Sequence, residues 1–449
     1  MVIVLIILYF LAVIAIGFYS RSKIKTPDDF YVAGKKGGIF QISGSLLATI
    51  LGSSAILGTL ELCRQNGWAA MWLLLCASAG LFILAPISKY VSRYGQFTLP
   101  ELLGQFFGKE AKLISSVIIP VAWLGIIAAQ IIGAAKILNS TGLLDYRPAA
   151  VVSGAVFILY TLIGGQKSIL KTDLFQAILI LAAVFIMFAY RKEETGLTPE
   201  VFTHKGLFND NFTIFDLIIL FLTYSTTFIV GPDIYSRIFC ARSEQTATKS
   251  VIITALILIP FAFILTYIGL ASPAPETGSQ SIGIILYAQK HMPPWILGLL
   301  IASLLAAVMS SADTTLLTAS MIEGELIYGT LESKKSLKAT KLLIAITGLL
   351  SITIAIFVTS IIQSLLLALA FFSGAFFVPT LAGLFHLRSV GKRIVAAMLT
   401  GGLLALAGKL IAVYGNEIFG NLMIVFSFLC NASILFIPVL PKKKSTSVK

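Results

Sequence analysis

An all-α, polytopic membrane fold of about thirteen transmembrane helices is the class this sequence predicts, and three observations predict it. Of its 449 residues, 57% are hydrophobic and 12% charged, with a mean hydropathy of +0.95, far from the balance of a soluble domain. Apolar runs of spanning length recur from end to end. These runs are too long and too continuously apolar for barrel strands, and in hydrocarbon only helices satisfy their own backbone polar groups segment by segment.

The first run, 2–19, has no basic region before it and Arg21, Lys23 and Lys25 after it. That is the reverse of a signal peptide, so the run is expected to stay as an anchor. The second, 39–62, contains QISGSLLATILGSSAILGTLEL at 41–62, with Gly52, Ser53 and Ser54 consecutive at its centre. Such a cluster leaves backbone groups in need of partners, which is tolerated where a segment lines a cavity. Runs at 68–87, 113–137, 148–165 and 172–190 follow. The seventh, 212–233, breaks at Gly231–Pro232, because proline removes an amide hydrogen and clashes with the preceding turn. Runs at 249–271, 294–318, 341–361, 364–385, 393–414 and 419–440 complete the set. Two interrupted helices five spans apart run in opposite directions, the mark of an inverted repeat with a binding site at its centre. The plainer reading is that glycine and proline are common in membrane helices.

An odd number of spans puts the termini on opposite sides, and the basic residues choose the sides. With the N-terminus outside, internal loops hold most of the Lys and Arg, including Lys35, Lys36, Lys89, Arg93, Lys112, Arg237, Arg242, Lys334, Arg388 and the tail Lys442, Lys443, Lys444 and Lys449. External loops hold Arg64, Arg147, Arg191, Lys192, Lys205 and Lys290. The expected location is therefore the plasma or inner membrane, with the C-terminus cytoplasmic and the lipid bilayer as a partner. The net charge of +13 is spread over many short loops, which argues against nucleic-acid binding. Cys63, Cys76, Cys240 and Cys430 show no metal spacing, with Cys240 placed in an internal loop. His204, His291 and His386 fall in loops or at span ends, leaving no bis-histidine haem site within the bilayer. No nucleophile–base set lies within the spans, so an enzyme is not expected, nor a cofactor beyond a coupling ion. Glu61 and Arg64 read as a local external pair, and Asp233 as a gate or a cap of the half-helix behind the proline.

GGQKSILKTDLFQ at 164–176, TLPELLGQFFGKEAK at 98–112, PDIYSRIFCARSEQTATKS at 232–250, LLAAVMSSADTTLL from 304 and DDFYVAGKK at 28–36 together resemble the sodium:solute symporter family. The resemblance runs over most of the chain. It implies a LeuT-type fold of five plus five helices: 1–38 holds an extra N-terminal helix, 39–191 the first repeat, 192–385 the second, and 386–449 the C-terminal extra helices with a basic tail. It also implies sodium-coupled symport of a small organic solute.

In the stretch from 304, Ala307, Ser310, Ser311 and Thr314 follow an i, i+3, i+4, i+7 pattern and share one helix face. Short hydroxyls beside exposed carbonyls supply the oxygens a bare sodium ion needs without a full neutralising charge. The alternative is that they glue helices together through carbonyl hydrogen bonds. Carried over by motif, the family's sodium site falls on Ala48 and Leu51 through their carbonyls, and on Ala307, Ser310 and Ser311. A further cation site of some members falls on Asp173, Ser310, Asp313 and Thr314. Those members have a serine where this chain has Asp313, which leaves binding of sodium or of a proton open. An aspartate reaching the cytoplasmic interface is the plainer alternative, since a carboxylate well inside a span costs about 2.5–3.5 kcal/mol.

Half-helix N-termini attract a carboxylate on the solute. Candidate lining residues are Thr49, Gly52, Ser53, Ser54 and Ala55, with Gln130 on the fourth span and Thr226, Thr227 and Phe228 on the seventh. The sugar-transporting branch of the family uses amide-rich and acidic residues where this chain has Ile50, Ser54, Ala55 and Gly231, so a small carboxylate or amino acid is expected. The rival readings are a proton-coupled symporter using Asp313 and a transporter-like sensor read by a separate partner.

Overall fold

Apolar runs become helices here because the helix pairs its own amides and carbonyls without help from water. The structure, a computed structural model, describes residues 1–21, 24–94, 97–195, 206–272, 282–386 and 391–436. Among these residues there is no β-strand. The helices are α1 (Val2–Arg21), α2 (Pro27–Tyr31), α3 (Ile39–Ile50), α4 (Ser53–Asn66), α5 (Trp72–Tyr94), α6 (Leu99–Phe107), α7 (Lys109–Ser140) and α8 (Tyr146–Thr195). Then come α9 (Ile214–Leu220), α10 (Thr226–Val230), α11 (Pro232–Phe239), α12 (Glu244–Leu270), α13 (Gly283–His291), α14 (Pro294–Tyr328), α15 (Lys334–Phe357), α16 (Ile361–Leu384), α17 (Gly391–Tyr414) and α18 (Glu417–Phe436). Lys23, Lys205, Arg388, His204 and the tail from Lys442 to Lys449 lie outside the described residues.

Among the described residues, eleven helical segments are long and apolar enough to cross a membrane, where thirteen were expected. Continuity accounts for the difference. The chain passes from α4 to α5 through a 3-10 turn at Gly67–Met71, and α8 contains both the 148–165 and 172–190 runs. Each junction is a corner carried by a glycine of positive φ, Gly67 at 62° and Gly165 at 53°, which a side chain would strain. The Tyr160 hydroxyl donates to Thr172 Oγ1 at 2.7 Å. Twelve residues of straight helix would separate these positions by about 18 Å, so α8 folds back at Gly165.

The expected interruptions are present. α3 ends at Ile50 and α4 begins at Ser53, while the stretch from Ile214 contains a π turn at Phe221–Ser225 and stops at Gly231, where ψ is 132°. Pro232 occupies the first position of α11, where its missing amide costs nothing. α14 is the most buried of the long helices and packs against α1, α3, α7, α8 and α15. Leu11, Leu349, Phe357 and Ile418 on the outer helices stay exposed, the surface a bilayer covers.

Two expected placements change. Arg237 and Cys240, assigned to an internal loop, are fully buried, because α11 carries the chain on into the interior after the break. Glu61 pairs with Lys136 at 2.8 Å, not with Arg64. Lys112, in the first turn of α7, reaches Glu325 near the C-terminal end of α14 at 2.5 Å.

Candidate functional site

A helix that stops inside a protein leaves its last carbonyls without intrahelical donors. At the end of α3 two of these are met by α14. Ser310 Oγ donates to the Ala48 carbonyl at 2.8 Å, and Ser311 Oγ to the Thr49 carbonyl at 2.7 Å. The Ala307 carbonyl stands 2.9 and 3.2 Å from the same two hydroxyls. All five residues are buried. Oxygen atoms from two helices thus converge on the break, without a full charge among them. Leu51, expected to supply the second carbonyl, sits at the break itself with its amide bonded to Leu47. Thr49 is the residue that Ser311 meets. Gly52 is required here, since a Cβ at that position would overlap the Ser311 side chain.

Gly52 has no side chain with which to cap α4, and α7 supplies the missing acceptor. Gln130 Oε1 accepts from the Ser53 amide at 2.9 Å and from the Ser53 hydroxyl at 2.9 Å, while the Ala129 carbonyl lies 3.0 Å from that hydroxyl. With this oxygen committed, the NH2 group is the donor Gln130 has left.

On the other side of the paired hydroxyls lies a charged cluster. Asp173 Oδ2 accepts from Ser45 Oγ at 2.5 Å and from Arg237 Nη2 at 3.0 Å. Arg237, 0% exposed, also donates from Nε to Ser45, from Nη1 to Ser236 and from Nη2 to Thr314. Thr314 in turn lies 3.4 Å from the Thr49 hydroxyl and donates to the Ser310 carbonyl at 2.7 Å. Two of the groups expected around a further cation, Asp173 and Thr314, therefore meet a guanidinium. Asp313 is 1% exposed and does not reach an interface; Thr161 donates to its Oδ1 at 3.2 Å, and among the described residues it forms no ion pair.

A cavity of about 50 Å³ adjoins the break. Of the expected lining residues, Thr49, Ser54, Gln130, Thr227 and Phe228 line it, together with Ser311. Others are turned to different tasks: Gly52 packs on Ser311, Ser53 is bonded to α7, Ala55 is buried in the core, and Thr226 donates back to the Leu222 carbonyl at 2.7 Å. Trp123, Tyr224 and Asp233 also line the cavity and were not among the candidates. Trp123 was legible in principle, since it lies seven residues before Gln130 on the same face of α7.

A model of the sodium:solute symporter family matches residues 30–401. The sodium/proline symporter of Escherichia coli strain K12 is 26% identical over 468 aligned positions, covering 94% of this chain and 92% of that protein. The osmoregulated proline transporter of Bacillus subtilis strain 168 is 23% identical, covering 88% and 86%. Among solved structures, a Na+-coupled sialic acid symporter in a substrate-bound outward-open state gives a TM-score of 0.75 at 18% identity, over 96% of this chain and 97% of the other. A nucleobase-cation-symport-1 family transporter, closed on bromovinylhydantoin, gives 0.62 at 14% identity, over 90% and 92%. The fold is therefore of the LeuT type, and the protein is integral to a membrane. The chain belongs to the sodium:solute symporter family, and its function is sodium-coupled solute symport.

Proposed function

We propose that the coupling sodium lies between the break in α3–α4 and α14, held by Ser310, Ser311 and the carbonyls of Ala48, Ala307 and the Thr49–Leu51 turn. The solute is a small amino acid bound in the adjoining cavity. One observation carries this reading: Thr49 and Ser311 belong both to the oxygen cluster and to the cavity wall. A cation drawn to those oxygens fixes the α3 end against α14 and, in the same act, fixes two cavity-lining residues. Ion and solute then raise one another's affinity by the same factor. The curated relatives named above are proline transporters, and the Gln130 NH2 group with the amides at the start of α4 suits a carboxylate. The distribution of Lys and Arg supports an external N-terminus and a cytoplasmic C-terminus. Proteoliposomes tested for L-proline and L-alanine uptake should show accumulation with an inward sodium gradient and none with potassium in its place. Equal uptake in both rejects sodium as the coupling ion.

One observation favours a second reading, proton coupling through Asp313. A buried carboxylate with no ion pair among the described residues needs a proton or a cation to offset its cost. Asp313→Ser should then remove uptake driven by a pH gradient while sodium still stabilises the protein; unchanged pH-driven uptake rejects it.

A further inference from the structure

The solute cavity contains a carboxylate that sodium binding does not use. Asp233 lies one residue past Pro232 in α11 and lines the cavity. The nearest cation along the helix is Arg237, one turn on, but its nitrogens go to Ser45, Asp173, Ser236 and Thr314. Among the described residues Asp233 forms no ion pair. Around the break, Asp173, Asp233 and Asp313 thus stand against the single guanidinium of Arg237, an excess of negative charge that a cationic group in the cavity would offset.

A second, independent observation concerns Trp123. It is 1% exposed, lines the same cavity, and its indole N–H has no hydrogen-bond partner among the described residues. A buried donor left unpaired is destabilising, so it marks a place where an acceptor is expected. Tyr224 and Phe228, their rings 5.0 Å apart and edge to face, add aromatic wall of the kind that favours an ammonium. The cavity wall therefore offers a carboxylate and aromatic surface to a cation, and includes Trp123, whose N–H is unpaired among the described residues.

We propose that Asp233 receives the ammonium of the transported solute while the Trp123 N–H donates to its carboxylate, so that the solute class is a zwitterionic amino or imino acid and not a plain monocarboxylate. This rests on the amino-acid reading above and sharpens it to a residue. A monocarboxylate would leave Asp233 unpaired beside a second negative charge, and a site built to pair a polar group rejects the analogue that lacks it.

The test is thermal unfolding of the full-length protein in sodium, with paired solutes: L-proline against cyclopentanecarboxylate, and L-alanine against propionate. Each pair keeps the carboxylate and loses the amine. Sodium alone should raise the melting temperature, and an amine-bearing solute should raise it further. The des-amino partner at equal concentration should add nothing. Asp233→Asn should weaken solute binding at least tenfold and keep the sodium increment, which shows that the variant is folded. Trp123→Phe should weaken solute binding several-fold and leave the sodium increment in place. The proposal is overturned if a des-amino solute stabilises as well as its partner, if neither amine-bearing solute adds to sodium, or if Asp233→Asn keeps full solute stabilisation. Should Asp233→Asn not fold, the wild-type pairs decide alone. Absence of any sodium increment in the wild type sinks the ion site instead, which separates the two readings.

Discussion

Each hydroxyl of Ser310 and Ser311 carries one hydrogen and two lone pairs, so the same atom can donate to an α3 carbonyl or turn a lone pair to a cation. Replacing either by alanine removes one oxygen from a small set. Ser310→Ala and Ser311→Ala are each expected to weaken sodium binding at least tenfold, about 1.4 kcal/mol, measured as the sodium concentration that half-maximally stabilises the protein. An unchanged midpoint would place the ion elsewhere. Arg237 is a different case, because its loss strands Asp173 in the interior. Arg237→Ala should cost about 3–5 kcal/mol of stability, read from thermal unfolding, and Arg237→Ala with Asp173→Asn should cost less than the single change. The helical spacing of Ala307, Ser310, Ser311 and Thr314 was enough to bring the hydroxyls to one face. It could not show that Ser311 donates to the Thr49 carbonyl, because the pitch of a broken helix is not written in its sequence. Arg237 escaped for a related reason: it follows Pro232 and was read as loop, although the half-helix behind the proline and Asp233 as its gate or cap were legible.

The working elements are the two interrupted helices, and each is held by a neighbour. α4 begins on a glycine, and Gln130 of α7 does the capping. Gln130→Ala leaves the buried Ser53 amide unpaired and should cost about 1–3 kcal/mol; it should also weaken solute binding more than sodium binding, since the residue lines the cavity and touches no proposed ion ligand. Equal weakening of both would show that the cap supports the whole break. Both breaks were legible, at Gly52–Ser53–Ser54 and at Gly231–Pro232, because helix interruption is a local property of residue type. The π turn at Phe221–Ser225 was not, since no residue there forbids an ordinary helical turn. Gly67 and Gly165 turn the chain without breaking the run of helical residues, so two of the eleven continuous segments each hold parts of two apolar runs.

At the scale of the whole molecule, composition and apolar runs were sufficient for the class of fold, because a bilayer permits few alternatives. What they could not supply is which helix faces which, and this decides that α14 forms the buried axis against which α3, α7 and α8 close. The cavity proposed for the solute and the oxygen cluster meet at that axis, so the proposal predicts that occupancy of one is felt at the other through Thr49 and Ser311. The most direct test measures sodium affinity of the purified protein without solute and at saturation with the amino acid that stabilises it, alongside solute affinity with and without sodium. The shared residues predict that the two affinities strengthen by one common factor, and that Ser311→Ala abolishes the effect. A sodium affinity indifferent to solute would contradict the account.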